Sequence, residues 1–150
     1  MIKFYSEDCK FQLKNKRLIS NWLKGVAKME GMHIGALNYI FCSDPYLLEI
    51  NKQYLGHDYF TDIITFDFSD DYKGIYKDNT LCGDIYISVD TVLANAEDYG
   101  EGFTREMHRV IVHGLLHLVG YDDKNSRDQA MMREAENKCL EDLEKNRTFL

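Results

Sequence analysis

The segment VIVHGLLHLVGYDD, residues 110–123, restricts the folds open to this chain more than any other stretch. From Val110 to Val119 it is apolar except for two histidines and a glycine, so a helix built from it offers no solvated face and belongs in a core. His113 and His117 are four residues apart, and both side chains leave the same helix face one turn apart. Unpaired buried polar groups cost on the order of 1–3 kcal/mol each, so the two imidazoles require partners. Either each ring is satisfied by a carbonyl or carboxylate of the core, or both converge on one cation. The residues beyond His117 favour the cation. Gly120 can end the helix in a left-handed turn, and Asp122 and Asp123 come directly after it, so a carboxylate can reach back. Two histidines and one further ligand leave a zinc ion an open position, which is a catalytic rather than a closed structural arrangement. Helical zinc proteases carry a glutamate after the first histidine as general base. Here that position is Gly114, so the protease machinery is missing, and the small residue instead lets another element or a substrate approach the helix.

The remaining sequence supports a core able to house such a helix. A chain of 150 residues with 45% hydrophobic and 13% aromatic residues is the size of one ordinary domain. No apolar run approaches the roughly 20 residues of a membrane span. The N-terminal MIKFYSEDCK turns charged before any signal-like stretch develops, so a cytoplasmic protein with no membrane association is expected. The cysteines at 9, 42, 82 and 139 show no Cys-x-x-Cys spacing and are expected as idle, mostly buried thiols.

Strands are expected at 1–5, 34–43, 62–69 and 82–90 from their β-branched and aromatic content. Leu18, Ile19, Trp22, Leu23 and Val26 make a helical stripe, and a second helix follows Ser43 or Asp44 as cap, with Pro45 in its first turn. A short helix ends at Gly100, the histidine helix starts near Thr104, and a last helix spans 126–144, amphipathic through Ala130, Met131, Ala135, Cys139, Leu140 and Leu143. Strands and helices do not alternate strictly, which gives an α+β class: one domain over 1–150, about five helices against a small sheet, with the metal site at the end of a central buried helix.

A net charge of −7 weighs against nucleic acid, since neutralising phosphates usually calls for a basic balance. Motifs weigh the other way. HGLLHLVGYDD resembles the signature His-Gly-x-Leu-His-Leu-x-Gly-Tyr-Asp-His of the YbeY family of rRNA maturation factors at every position but the last. TDIITF (61–66), GDIYIS (83–88) and INKQYL (50–55) are similar to three further segments of that family, in order and spacing. The resemblance implies a mixed-sheet α+β domain holding one zinc ion. It also implies a single-strand-specific endoribonuclease that matures ribosomal RNA at the small-subunit 3′ end and serves ribosome quality control. RNA and the small ribosomal subunit or its proteins are the implied partners.

Carried over, the metal ligands are His113, His117 and the residue in the third histidine's place, which is Asp123. Aspartate oxygen is an accepted zinc ligand, but an anionic ligand makes bound water less acidic and widens the choice to other divalent metals. A second departure is Leu55, where the family has an arginine suited to contact phosphate. Lys52, His57 and Arg109 are the candidates to replace it. Glu106 and Arg109 lie on the histidine helix and are expected as a surface ion pair; Asp62 and Asp84 are candidates for supporting the site or bonding local backbone. Two other functions fit the departures: a metal-dependent hydrolase of another substrate class, and a ribosome-assembly factor whose metal is structural.

Overall fold

Strand-like and helix-like patterns follow one another along the chain without strict alternation. The computed structural model of the protein describes residues 1–147. Its elements are β1 (Ile2–Ser6), α1 (Lys16–Met29), β2 (His33–Cys42), α2 (Asp44–Leu55), β3 (Ile63–Asp67), β4 (Thr80–Ser88), α3 (Val89–Tyr99), α4 (Phe103–Val119) and α5 (Ser126–Arg147). A 3₁₀ turn at Ser69–Tyr72 interrupts the polar loop after β3. Four strands and five helices were expected, and among the described residues four strands and five α-helices are found. Ser43 caps α2 by accepting a hydrogen bond from the Tyr46 amide, and Ser88 caps α3 from the Thr91 amide.

The sheet runs in the order β1-β2-β4-β3. β1, β2 and β4 are mutually parallel, while β3 pairs antiparallel with β4 and closes one edge. This is the mixed sheet of an α+β fold. One face carries α4, whose Met107, Val110, Ile111, Leu115 and Leu118 join Leu37, Tyr39, Ile85 and Ile87 in the main core. The fully buried Tyr39 hydroxyl donates to the Ile111 carbonyl at 2.8 Å, fixing the helix against the strand. The opposite face carries α2 over a smaller cluster of Cys42, Leu47 and Ile64.

Gly114 explains how closely α4 can lie on the sheet. A Cβ there would stand 2.9 Å from Ile85 Cγ2 and 3.1 Å from Ile63 Cδ1. The element that the missing side chain admits is therefore the β3–β4 edge rather than a substrate. The buried face of α5 is turned slightly from the expected stripe. Met132, Glu136, Cys139, Leu140 and Leu143 face inward, whereas Met131 is half exposed and Ala130 exposed. Among the described residues no helix is long and apolar enough to cross a membrane, and all four cysteines are free thiols, three of them buried.

Candidate metal centre

The last turn of α4 places His113 and His117 at the mouth of the core, where each is partly exposed. Gly120 then takes a φ of 129°, closed to most L-residues, while its amide and that of Tyr121 cap the helix on Leu116 and His117 carbonyls. The chain reverses, and Asp123 returns to the histidines. Its Oδ2 lies 3.2 Å from His117 Nε2 and 3.5 Å from His113 Nε2. The two rings stand at 81° with centroids 4.6 Å apart. One ligand atom from each of the three residues lies within 4.8 Å of the others. The Gln129 amide on α5 donates to the Asp123 carbonyl at 3.0 Å and holds the returning loop.

The other ring nitrogens fix the tautomers. His113 Nδ1 donates to Glu136 Oε2 at 2.6 Å, and His117 Nδ1 donates to the Tyr121 carbonyl at 3.0 Å. Both partners are acceptors, so in the neutral rings both Nε2 atoms carry lone pairs toward Asp123. Three electron-pair donors then share one point. Donors about 2.0–2.1 Å from a tetrahedral cation sit about 3.3–3.4 Å from one another, and the two N–O separations here are 3.2 and 3.5 Å. The residues fit a divalent cation in donor type, in spacing and in the orienting bonds behind them. Each ring thus has a protein acceptor on Nδ1 and turns Nε2 toward Asp123, so the acceptor-satisfied reading is met at one nitrogen while the other faces a cluster that could hold a cation.

Burial alone would lower the His113 pKa. The Glu136 hydrogen bond, with the charges of Glu136, Asp62 and Asp123, overturns this and holds it above its ordinary value. Asp62 sits just before β3; burial raises its carboxyl, and the charge on His113 only partly opposes that.

The cluster opens on a cleft of about 660 Å³ between α4, β3 and the loop after α2, lined among others by Leu55, His57, Tyr59, Asp62 and Thr65. A smaller hollow of about 280 Å³ lies beyond His113 and Asp62 and is lined by Glu106, Arg109, Arg133 and Glu136.

Of the residues singled out from sequence, His113, His117, Asp123 and Asp62 come together. Arg109 and Glu106 do not form a surface pair: both are buried, because α3 and α5 cover this part of α4. Arg109 bonds Glu136 Oε1 at 3.2 Å and Asn137 Oδ1 at 2.8 Å, with Glu106 3.5 Å from its Nε. Asp84 is elsewhere. Its neighbour Ile85 faces α4, so Asp84 points to the opposite sheet face, where it accepts from Asn38 across the β2–β4 register. Lys52 is spoken for by Glu49 and Asp58 and does not line the cleft; of the three candidates to replace the family arginine, His57 alone does. Sequence reasoning missed Glu136, whose signal was a carboxylate on the inward face of the last helix.

Comparison with known proteins identifies the family. The family model described as Endoribonuclease YbeY matches residues 1–144. The endoribonuclease YbeY of Cytophaga hutchinsonii is 48% identical over 139 residues, covering 93% of each chain. That of Parabacteroides distasonis is 45% identical over 139 residues, again covering 93% of each. The solution structure of a Thermotoga maritima protein matches with a TM-score of 0.61 at 30% identity, covering 95% of this chain and 89% of that one. With a family match over nearly its whole length and relatives at 45–48% identity across 93% of the chain, this chain belongs to the YbeY family.

Proposed function

We propose that this protein is a metal-dependent endoribonuclease that cleaves single-stranded RNA in the cleft beside His113, His117 and Asp123. The convergence of those three donors on one point at the wall of an open cleft is the observation that carries the reading. It is supported by the relatives named endoribonuclease YbeY. In this reading His113, His117 and Asp123 hold one divalent cation, zinc by the donor set, with manganese or iron admitted by the aspartate. A cation so held supplies Lewis acidity, acidifying water and polarising a phosphoryl oxygen. The chain's own residues do the rest. Glu136 and the Tyr121 carbonyl keep each imidazole proton on Nδ1, and Gln129 holds the loop that carries Asp123. Asp62 adds a partly buried carboxyl to the cleft wall.

The RNA is ribosomal, by the maturation role that the family resemblance implies, with the small-subunit 3′ end as target and the cytoplasm as setting. Incubating purified protein with single-stranded and duplex RNA tests the reading. Cleavage confined to the single strand and abolished by His113→Ala is expected; cleavage unaffected by that substitution points to a contaminating nuclease and removes the proposal. Product ends then identify the nucleophile, because a 2′,3′-cyclic phosphate reports attack by the ribose hydroxyl and a linear phosphate reports water.

A second reading, hydrolysis of another substrate class, is favoured by one observation. Among the described residues that line the cleft there is neither lysine nor arginine, while Asp62, Asp67 and Asp123 are all present.

A further inference from the structure

The acidic lining of the cleft is a difficulty for any RNA ligand. Proteins that hold RNA by its phosphates rely on lysine and arginine, and here the position of the family arginine is Leu55. Lys52, the nearest cation in sequence, is paired with Glu49 at 3.7 Å and Asp58 at 3.4 Å. Arg109 is buried among Glu101, Glu106 and Glu136. Apart from the cation of the proposed site, the described lining of the cleft offers a strand no lysine or arginine, so most of its grip must come from elsewhere.

The loop between α2 and β3 supplies an alternative. Gly56 takes a φ of 69° and ends α2, so the chain turns at once over the cleft. His57 and Tyr59 follow, with ring centroids 5.1 Å apart and planes within 19°, and both line the cleft. The Tyr59 hydroxyl lies 2.9 Å from His57 Nδ1, tying the stacked pair together, yet Tyr59 remains 56% exposed. This is not a slack loop. Asn51 is only 2% exposed; its side-chain amide donates to the Tyr59 carbonyl at 2.9 Å, and its own carbonyl accepts from the His57 amide at 3.1 Å. One buried asparagine thus fixes both ends of the aromatic step. An exposed ring whose backbone and hydroxyl are both held by hydrogen bonds, at the rim of the cleft beside the histidine cluster, suits an unpaired base, whose π-face needs no charge to be bound.

We infer that Tyr59, stacked on His57 and fixed by Asn51, is a base-stacking platform through which this protein grips single-stranded RNA by its bases rather than its phosphates. The inference rests on the endoribonuclease reading and adds to it the determinant of strand choice. Bases in a duplex are stacked on one another and unavailable to the ring, so the platform selects unpaired strands. The His57–Tyr59 pair takes over, by stacking, the gripping task left open at Leu55.

Initial-rate kinetics on a short single-stranded RNA test this with the full-length protein. Stacking on one aromatic ring contributes about 1–3 kcal/mol per base, so Tyr59→Ala is expected to raise KM at least about fivefold, with kcat largely kept. Tyr59→Trp, which preserves a stacking face, is expected to restore KM. The KM of the unaltered protein is expected to change little with salt concentration, and an abasic sugar-phosphate strand is expected to compete equally poorly against it and against Tyr59→Ala. An unaltered protein that cleaves no RNA removes the underlying reading. If it does cleave but Tyr59→Ala keeps the same KM, the platform alone is overturned, and the exposed rings then serve a protein partner or nothing. A steep salt dependence shared by both proteins equally overturns it in favour of phosphate contacts.

Discussion

His113 Nδ1 donates to Glu136 Oε2 across 2.6 Å and so joins α4 to α5 behind the His113, His117 and Asp123 cluster. The bond selects the tautomer that turns Nε2 toward Asp123, and Glu136 in turn is held by Arg109 at 3.2 Å. A carboxylate behind a metal-binding imidazole typically accounts for about 10–100-fold in metal affinity. Glu136→Ala is expected to lower cation affinity by that order, measured by competition with a chromophoric chelator. Glu136→Gln, which keeps an acceptor, should lose less. Removing one partner of a buried pair costs about 3–5 kcal/mol when the other is orphaned. Arg109 retains Glu101 and Glu106, so the alanine variant should lose about 2–3 kcal/mol in urea unfolding. Equal affinities across the three proteins would show that Glu136 only supports the fold.

Asp123 is the residue on which the proposed divalent site depends most visibly, because it stands where the family signature has a third histidine and is the most exposed of the three. Metal analysis of protein purified without added ions should find about one equivalent in the unaltered chain. Asp123→Ala should lose it, since two imidazoles alone hold a divalent ion weakly. Asp123→His should keep it and shift preference toward zinc over manganese, as a softer ligand set does. Full occupancy in Asp123→Ala would exclude Asp123 as a ligand.

Much of this site was legible in the sequence because its parts are local. The four-residue histidine spacing, the glycine stop and the following aspartates lie within one short segment, and helix geometry alone brings them together. Asn38 and Asp84 were not legible as a pair, because strand order and parallel register are set by contacts distant in sequence. Glu136 lies 23 residues from His113, in a helix whose run Arg133-Glu134-Ala135-Glu136-Asn137-Lys138 reads as a solvated face. Misplacing the stripe of α5 onto Met131 hid that Met132 and Glu136 share its inward side. The burial of Glu106 and Arg109 was missed for the same reason: what covers a helix face is tertiary.

Gly114 separates packing from helix propensity. Alanine in a helix interior is favoured over glycine by about 1 kcal/mol, so an exposed Gly114→Ala would stabilise. Here the new methyl would meet the β-branched Cγ2 of Ile85 at 2.9 Å, which cannot swing away without moving β4. Overpacking of this kind costs about 1–3 kcal/mol and prevails. Thermal unfolding of Gly114→Ala is expected to show a lower Tm, and the double variant Gly114→Ala, Ile85→Val should not recover it, since valine keeps the branched carbon. A raised Tm would mean that α4 can lift from the sheet at little cost.

Glu106 supplies a pH test that does not involve the candidate metal ligands. Burial pushes its carboxyl above the usual range; Arg109 opposes this and Glu101 adds to it. The folded state therefore holds the Glu106 proton more tightly than the unfolded chain does. Linkage then requires that this residue's contribution be most favourable below its ordinary pKa and fall as pH rises through the raised folded value. Glu106→Gln removes the titration while keeping shape and hydrogen-bonding capacity. Urea unfolding of both proteins from about pH 4 to pH 7.5 should show the variant gaining stability relative to the unaltered chain as pH rises. A constant difference across that range would mean that Glu106 titrates alike in both states and that Arg109 fully offsets its burial.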